Sequence, residues 1–193
     1  MIKAIIFDCF GVLLTDALQA IVDELRLTDS ARADEIIELI AAGNGGGVDR
    51  EVFLTLVADK LGMTVSEYAD TLKNGEIRNQ ALLDYIMQLR PRFKTGLLSN
   101  VNRGGLEVRF PNNELATYFD ATIALSDVGY AKPQAQAYEI TADRLGVLLN
   151  ECVMIDDRED YCQGATGVGM QAIQYQSFEQ MKSDLEKLLV EVV

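Results

Sequence analysis

Residues 5–14 read IIFDCFGVLL: an apolar run delivers a single carboxylate, Asp8, and then breaks at Gly11. A buried strand that ends in an acid is how α/β enzymes present a nucleophile or a metal ligand at the carboxyl edge of a parallel sheet. Two residues past Asp8, where a second acid would complete a carboxylate pair, the chain carries Phe10.

Apolar runs of strand length stand at 4–7, at the start of this stretch, and again at 95–98, 121–125, 152–155 and 171–174. From the second run onward, segments of helical periodicity separate them, the pattern of βαβ crossovers and a parallel sheet. The first gap is different. Between Thr15 and Phe93 lie roughly 80 residues of successive helical patterns without a strand, too long for one crossover. The expected fold class is therefore α/β: a Rossmann-like parallel sheet core over 1–15 and 94–193, with a helical bundle inserted over 16–93.

Within the insertion, Leu18, Ile21, Val22 and Leu25 form one apolar stripe, and Ile36, Ile37, Leu39 and Ile40 another. Thr28, Asp29 and Ser30 offer caps for the second helix, and Asp49 for a third whose apolar face includes Val52, Phe53, Leu56 and Val57. Thr64 and Glu67 have the spacing of a capping box, and 80–89 reads as a fifth helix closed by Pro91. Gly43-Asn44-Gly45-Gly46-Gly47 lacks both the Lys-Ser/Thr of a P-loop and a preceding strand, so it reads as a turn. The segment 178–189 reads as an amphipathic helix that packs on the sheet.

Composition narrows the function classes. The 193 residues are 49% hydrophobic and 24% charged, enough for one core and a modest inserted domain. A net charge of −13 argues against a nucleic-acid partner, which would need clustered Lys and Arg. The opening MIKAIIF is too short an apolar segment for a signal peptide or a membrane span. Three cysteines, Cys9, Cys152 and Cys162, show no CxxC spacing, so the expected setting is the reducing cytoplasm. The absence of histidine excludes His-based triads and zinc sites.

Four polar clusters stand at or shortly past predicted strand ends: Asp8, Ser99-Asn100, Lys132-Pro133 and Asp156-Asp157. Each alone has a plain structural reading, as a turn cap, a loop residue, a solvated charge or a helix start. In a parallel sheet, however, all four fall on one edge. At an effective dielectric near 20, two unit charges about 4 Å apart repel by about 4 kcal/mol, so bare carboxylates there would expel a phosphate. A hard cation such as Mg²⁺, held by oxygen ligands, reverses that sign. Lys132 would neutralise further charge, and Ser99 and Asn100 could donate to phosphoryl oxygens.

These segments resemble the motifs of the haloacid dehalogenase superfamily. FDCFGVL resembles its first motif around the nucleophile, LLSN its second, VGYAKPQAQAY its third and MIDDREDYCQGATGVGMQAI its fourth, while GGVDREVF resembles a phrase of its helical caps. The resemblance implies an enzyme: a Mg²⁺-dependent phosphatase in which Asp8 attacks phosphorus to form an aspartyl-phosphate. Mg²⁺ would be ligated by Asp8, the backbone carbonyl of Phe10 and Asp157, with Asp156 supporting the metal's water shell or orienting Lys132. Ser99, Asn100 and Lys132 would complete the catalytic set. The partner would be a small phosphorylated metabolite selected by the cap, such as a sugar or nucleotide phosphate.

Two positions depart from the family pattern. Phe10 replaces the usual general acid/base Asp, and removing such a proton-transfer group costs roughly 10²- to 10⁴-fold in rate. Tyr161 stands where the family shows Asp or Asn. Two alternatives follow: a 2-haloacid dehalogenase-like hydrolase using Asp8, with Arg26 or Arg32 as the cap arginine, or an inactive phosphoryl-binding protein.

Overall fold

The computed structural model describes residues 1–44 and 47–190. Five parallel strands, β1 (Ala4–Phe7), β2 (Lys94–Ser99), β3 (Ala121–Ala124), β4 (Cys152–Asp156) and β5 (Gln171–Gln174), form one sheet in the order β3-β2-β1-β4-β5. β1 is central: Phe7 is in register with Leu97 on one side and Ile155 on the other. Asp8 therefore leaves the sheet at the point where successive connections diverge to opposite sides of β1, the crevice where open α/β sheets bind ligands.

β1 is buried throughout, and its alternation feeds two cores. Ile5 and Phe7 pack with Leu97, Val153 and Ile155 under α5 (Gln80–Leu89), α6 (Gly105–Arg109), α7 (Leu115–Tyr118) and α10 (Phe178–Val190). Ala4 and Ile6 pack with Leu98, Met154 and Tyr138 on the opposite face, beneath α8 (Ala135–Leu145) and α9 (Glu159–Gly167).

A third core belongs to α1 (Ala17–Thr28), α2 (Ser30–Asn44), α3 (Arg50–Leu61) and α4 (Val65–Gly75), which bury Val22, Ile36, Phe53, Val57 and Tyr68 among themselves. Their starts follow the capping signals: Asp29 accepts from the Arg32 N–H, Asp49 from that of Glu51, and Thr64 with Glu67 forms the capping box. Only part of each expected stripe is buried, since Ile37, Val52 and Leu56 face solvent. Gly43 and Asn44 belong to the last turn of α2, and the rest of the expected glycine turn includes Gly45 and Gly46, outside the described residues.

The packing divides 16–93 differently from the sequence expectation. α5 directs Leu82, Leu83, Ile86 and Leu89 into the sheet's core, so the bundle is four helices and α5 belongs to the α/β layers. An amphipathic stripe specifies that a helix has a buried face but not which core receives it. The two chain crossings between the units run side by side. The Asn79 N–H donates to the Leu13 carbonyl at 2.9 Å, and the Ile77 N–H to the Thr15 hydroxyl at 2.7 Å. No helix among the described residues is long and apolar enough to cross a membrane.

Candidate active site

The polar residues expected at the sheet edge converge. Lys132 Nζ lies 2.9 Å from Asp8 Oδ1 and 2.6 Å from Asp156 Oδ2, with none of the lysine side chain exposed. Asp8, Asp156 and Asp157 each offer a carboxylate oxygen within 4.8 Å of the others. This donor set, all oxygen and with one half-buried member in Asp157, suits a hard divalent cation.

Charge crowding sets the protonation behaviour. Burial pushes the Asp8 carboxyl up to about 7, a rise that the Lys132 ammonium opposes and the Asp156 charge reinforces. Burial and the neighbouring Asp156 likewise push Asp157 up to about 6. Burial alone would lower the Lys132 ammonium, but the two carboxylates outweigh it and hold its pKa above the usual lysine range.

Gly11 explains how Asp157 reaches this cluster. Its φ is +83°, and a Cβ there would lie 2.4 Å from the Asp157 Cγ and 2.5 Å from its Oδ2. The break in the apolar run thus supplies both a left-handed turn and the room for a carboxylate.

Ser99 Oγ is fully buried and has no hydrogen-bond partner among the described residues, so it is free to serve a ligand. Asn100 differs from the expectation that its amide donates to a phosphoryl group. Its Oδ1 accepts from the Lys132 N–H at 2.9 Å, and its Nδ2 donates to the Lys132 carbonyl at 3.2 Å and to the Tyr161 hydroxyl at 3.0 Å. Both amide hydrogens are committed, and the side chain acts as a clamp on the Lys132 loop. Tyr161 in turn presents its ring to Lys132 Nζ at 4.9 Å and to the Arg158 guanidinium at 4.5 Å.

Phe10 is half-buried, and the Arg109 guanidinium lies over its ring at 4.8 Å. Arg109 also forms an ion pair with Glu76, the residue that ends α4. Sequence reading missed this pair, because its members lie in different units and no local spacing links them. Arg26 and Arg32 pair with Asp34 and Asp29 and are largely exposed on the bundle surface.

Among curated proteins, the chain is 38% identical over 53 residues to phosphatase MT3486 of Mycobacterium tuberculosis (strain CDC 1551 / Oshkosh), covering 28% of the chain and 24% of that protein. It is 36% identical over 59 residues to the fructose-1-phosphate phosphatase YqaB of Escherichia coli (strain K12), covering 31% of each. The matches thus span about a quarter to a third of those relatives' lengths.

Among solved structures, a predicted HAD-like family hydrolase from Porphyromonas gingivalis superposes with a TM-score of 0.78 at 24% identity, covering 98% of both chains. The HAD family enzyme bt-2542 of Bacteroides thetaiotaomicron, in complex with magnesium and inorganic phosphate, gives 0.75 at 19% identity over 92% of this chain and 96% of that one. The L-2-haloacid dehalogenase of Xanthobacter autotrophicus with chloropropionic acid covalently bound gives 0.64 at 23%, over 97% and 83%. These likenesses carry the fold. The family model of haloacid dehalogenase-like hydrolases matches residues 2–169. Because that model spans well over half of its length, the chain belongs to the haloacid dehalogenase-like hydrolases, an enzyme family with phosphatases among its relatives here.

Proposed function

We propose that this protein is a Mg²⁺-dependent phosphatase acting on a small phosphorylated metabolite through an aspartyl-phosphate formed on Asp8. The observation that carries the reading is the cluster itself: a nucleophile-competent carboxylate held by Lys132, with two further carboxylates beside it. Asp8, the Phe10 carbonyl and Asp157 would hold the cation, and Asp156, bonded to Lys132, keeps the ammonium aimed at Asp8. A divalent cation bound there would offset the phosphate's charge and keep the Asp8 carboxylate ionised. Ser99 Oγ and Lys132 Nζ would then donate to the phosphoryl oxygens. Asn100 contributes by fixing the Lys132 loop.

The first covalent step joins an Asp8 oxygen to phosphorus and breaks the ester bond, and water then hydrolyses the acyl phosphate. Phe10 carries no proton to give or take, so the leaving group departs without protonation from that position. Turnover is slow, and fastest for aryl, acyl or anomeric phosphates, whose leaving groups are acidic. The four-helix bundle over the sheet edge acts as the cap, and the fructose-1-phosphate phosphatase among the relatives favours a sugar phosphate as substrate. Three buried free cysteines suit a reducing cytoplasmic setting. The dehalogenase alternative loses its expected cap arginine, since Arg26 and Arg32 are engaged in ion pairs on the bundle surface.

The test is hydrolysis of p-nitrophenyl phosphate with and without Mg²⁺. Slow Mg²⁺-dependent release that Asp8→Asn abolishes supports the reading. No turnover by wild type or by Phe10→Asp would sink it, and metal-free halide release from a 2-haloacid would select the dehalogenase.

A further inference from the structure

The Phe10 ring stands two residues past the nucleophile and has a partner built for it. The Arg109 guanidinium, from α6, lies over the ring at 4.8 Å. Arg109 is itself held in place. Its Nη1 donates to the Gly105 carbonyl at 2.9 Å, and its Nη2 pairs with the largely buried Glu76. Its backbone carbonyl accepts from Arg78 Nη2 at 2.7 Å, and Arg78 in turn forks onto Glu114 at 2.5 and 2.9 Å. A planar cation fixed in this way and largely removed from water makes a cation–π contact at the strong end of the range for such pairs.

The backbone that carries the ring offers a free acceptor. In the turn after β1, the carbonyls of Cys9, Val12, Leu13 and Leu14 each accept a hydrogen bond, whereas those of Phe10 and Gly11 accept none among the described residues. A bridge to Leu14 and the φ of +83° at Gly11 shape the backbone here, and the Arg109 stack fixes the side chain. Ring and carbonyl share one Cα, so a ring that cannot swing restricts how the carbonyl can turn. Arg109 is poorly suited to bind a phosphate itself, since Glu76 balances its charge and takes one arm of its fork while Gly105 takes the other.

Resting on the Mg²⁺ site of the proposed function, we infer that Arg109 is a positioning residue for the cation: by clamping the Phe10 ring it orients the Phe10 carbonyl that would ligate the metal. The aromatic side chain at position 10 then has a use of its own, as the handle by which α6 holds the metal-binding turn.

The experiment is isothermal titration of metal-free protein with Mg²⁺ alone at pH 8, with melts in EDTA to confirm that each variant is folded. Arg109→Met removes the cation and keeps the stem, while Phe10→Leu removes the ring and keeps the carbonyl. Each should weaken Mg²⁺ binding by roughly tenfold, the lower end of the cost of losing a group that supports a metal ligand. The double variant should bind no more weakly than the poorer single one, since both changes break the same contact. If Arg109→Met does not fold, Arg109→Lys replaces it, because lysine can pair with Glu76 but cannot also bond Gly105 and cover the ring. A merely structural role would lower the melting temperature and leave Mg²⁺ affinity at the wild-type value, and that result overturns the assignment, as do losses that add in the double variant. Binding that Asp157→Ala weakens but both Arg109 variants leave unchanged refutes this inference alone. If wild type does not bind Mg²⁺, or binds it no better than Asp157→Ala, the metal site and the phosphatase reading fall, and this inference falls with them.

Discussion

Replacing Lys132 by Met isolates the electrostatics on which the site depends. The lysine is wholly unexposed, 2.9 Å from Asp8 and 2.6 Å from Asp156. Methionine keeps most of the volume but leaves two buried carboxylates facing each other without a counter-ion. Breaking a buried pair by removing one partner costs about 3–5 kcal/mol. For a chain of this size each kcal/mol moves Tm by about 2–4 °C, so the metal-free variant should melt roughly 6–20 °C below wild type at pH 8.

The sign with pH follows from Asp8. Its folded pKa of about 7 is raised above the unfolded value, so its contribution to stability is fully present below pH ~3.9 and lost as pH rises through 7. Without Lys132 that pKa rises further, and the deficit of the variant shrinks at pH 5, where Asp8 is protonated. Thermal melts in EDTA at pH 5 and pH 8 measure both quantities. Adding Asp156→Asn to Lys132→Met should recover much of the loss, since it removes one of the two stranded charges. A deficit equal at the two pH values, or below about 2 °C at pH 8, would refute the buried-charge reasoning.

Three further outcomes are expected. Gly11→Ala places a Cβ 2.4 Å from the Asp157 Cγ at a φ of +83°, so it should weaken Mg²⁺ binding by tenfold or more, on the order of what a lost metal partner costs, as read by isothermal titration. Because Asp8 titrates near 7 and Asp157 near 6 without metal, Mg²⁺ affinity should fall as pH drops from 8 to 6, with proton release on binding seen as a buffer-dependent heat. Asn100→Ala removes three hydrogen bonds around the Lys132 loop and should lower stability by about 1–3 kcal/mol in urea melts, whereas an amide that only touched substrate would lower activity alone.

What the sequence disclosed, and what it hid, follows from the range of each interaction. β1 and β5 coincide with their apolar runs, and the Thr64 capping box forms as its spacing implies, because these signals are local. Asp8, Lys132 and Asp156 meet because parallel strands carry their ends to one edge. α5 has the expected bounds but a different core, since periodicity shows a buried face without naming its neighbour. Asn100 read as a phosphate donor because its type and place allow it. Only the distance to Lys132 and Tyr161 reveals that its hydrogens are spent. The Arg109 stack on Phe10 and its pair with Glu76 depend on how the bundle meets the sheet, which no local pattern encodes.

The central claim is that Asp8 takes the phosphoryl group, and that Phe10 cannot assist the water that removes it. Acid-quenching the protein during turnover of p-nitrophenyl phosphate, followed by mass spectrometry of the peptide containing residue 8, tests both together. With Mg²⁺ present, that peptide should carry a phosphoryl group in wild type, less of it in Phe10→Asp, and none in Asp8→Asn. Turnover without any phosphoryl adduct, or turnover that survives Asp8→Asn, would contradict the account.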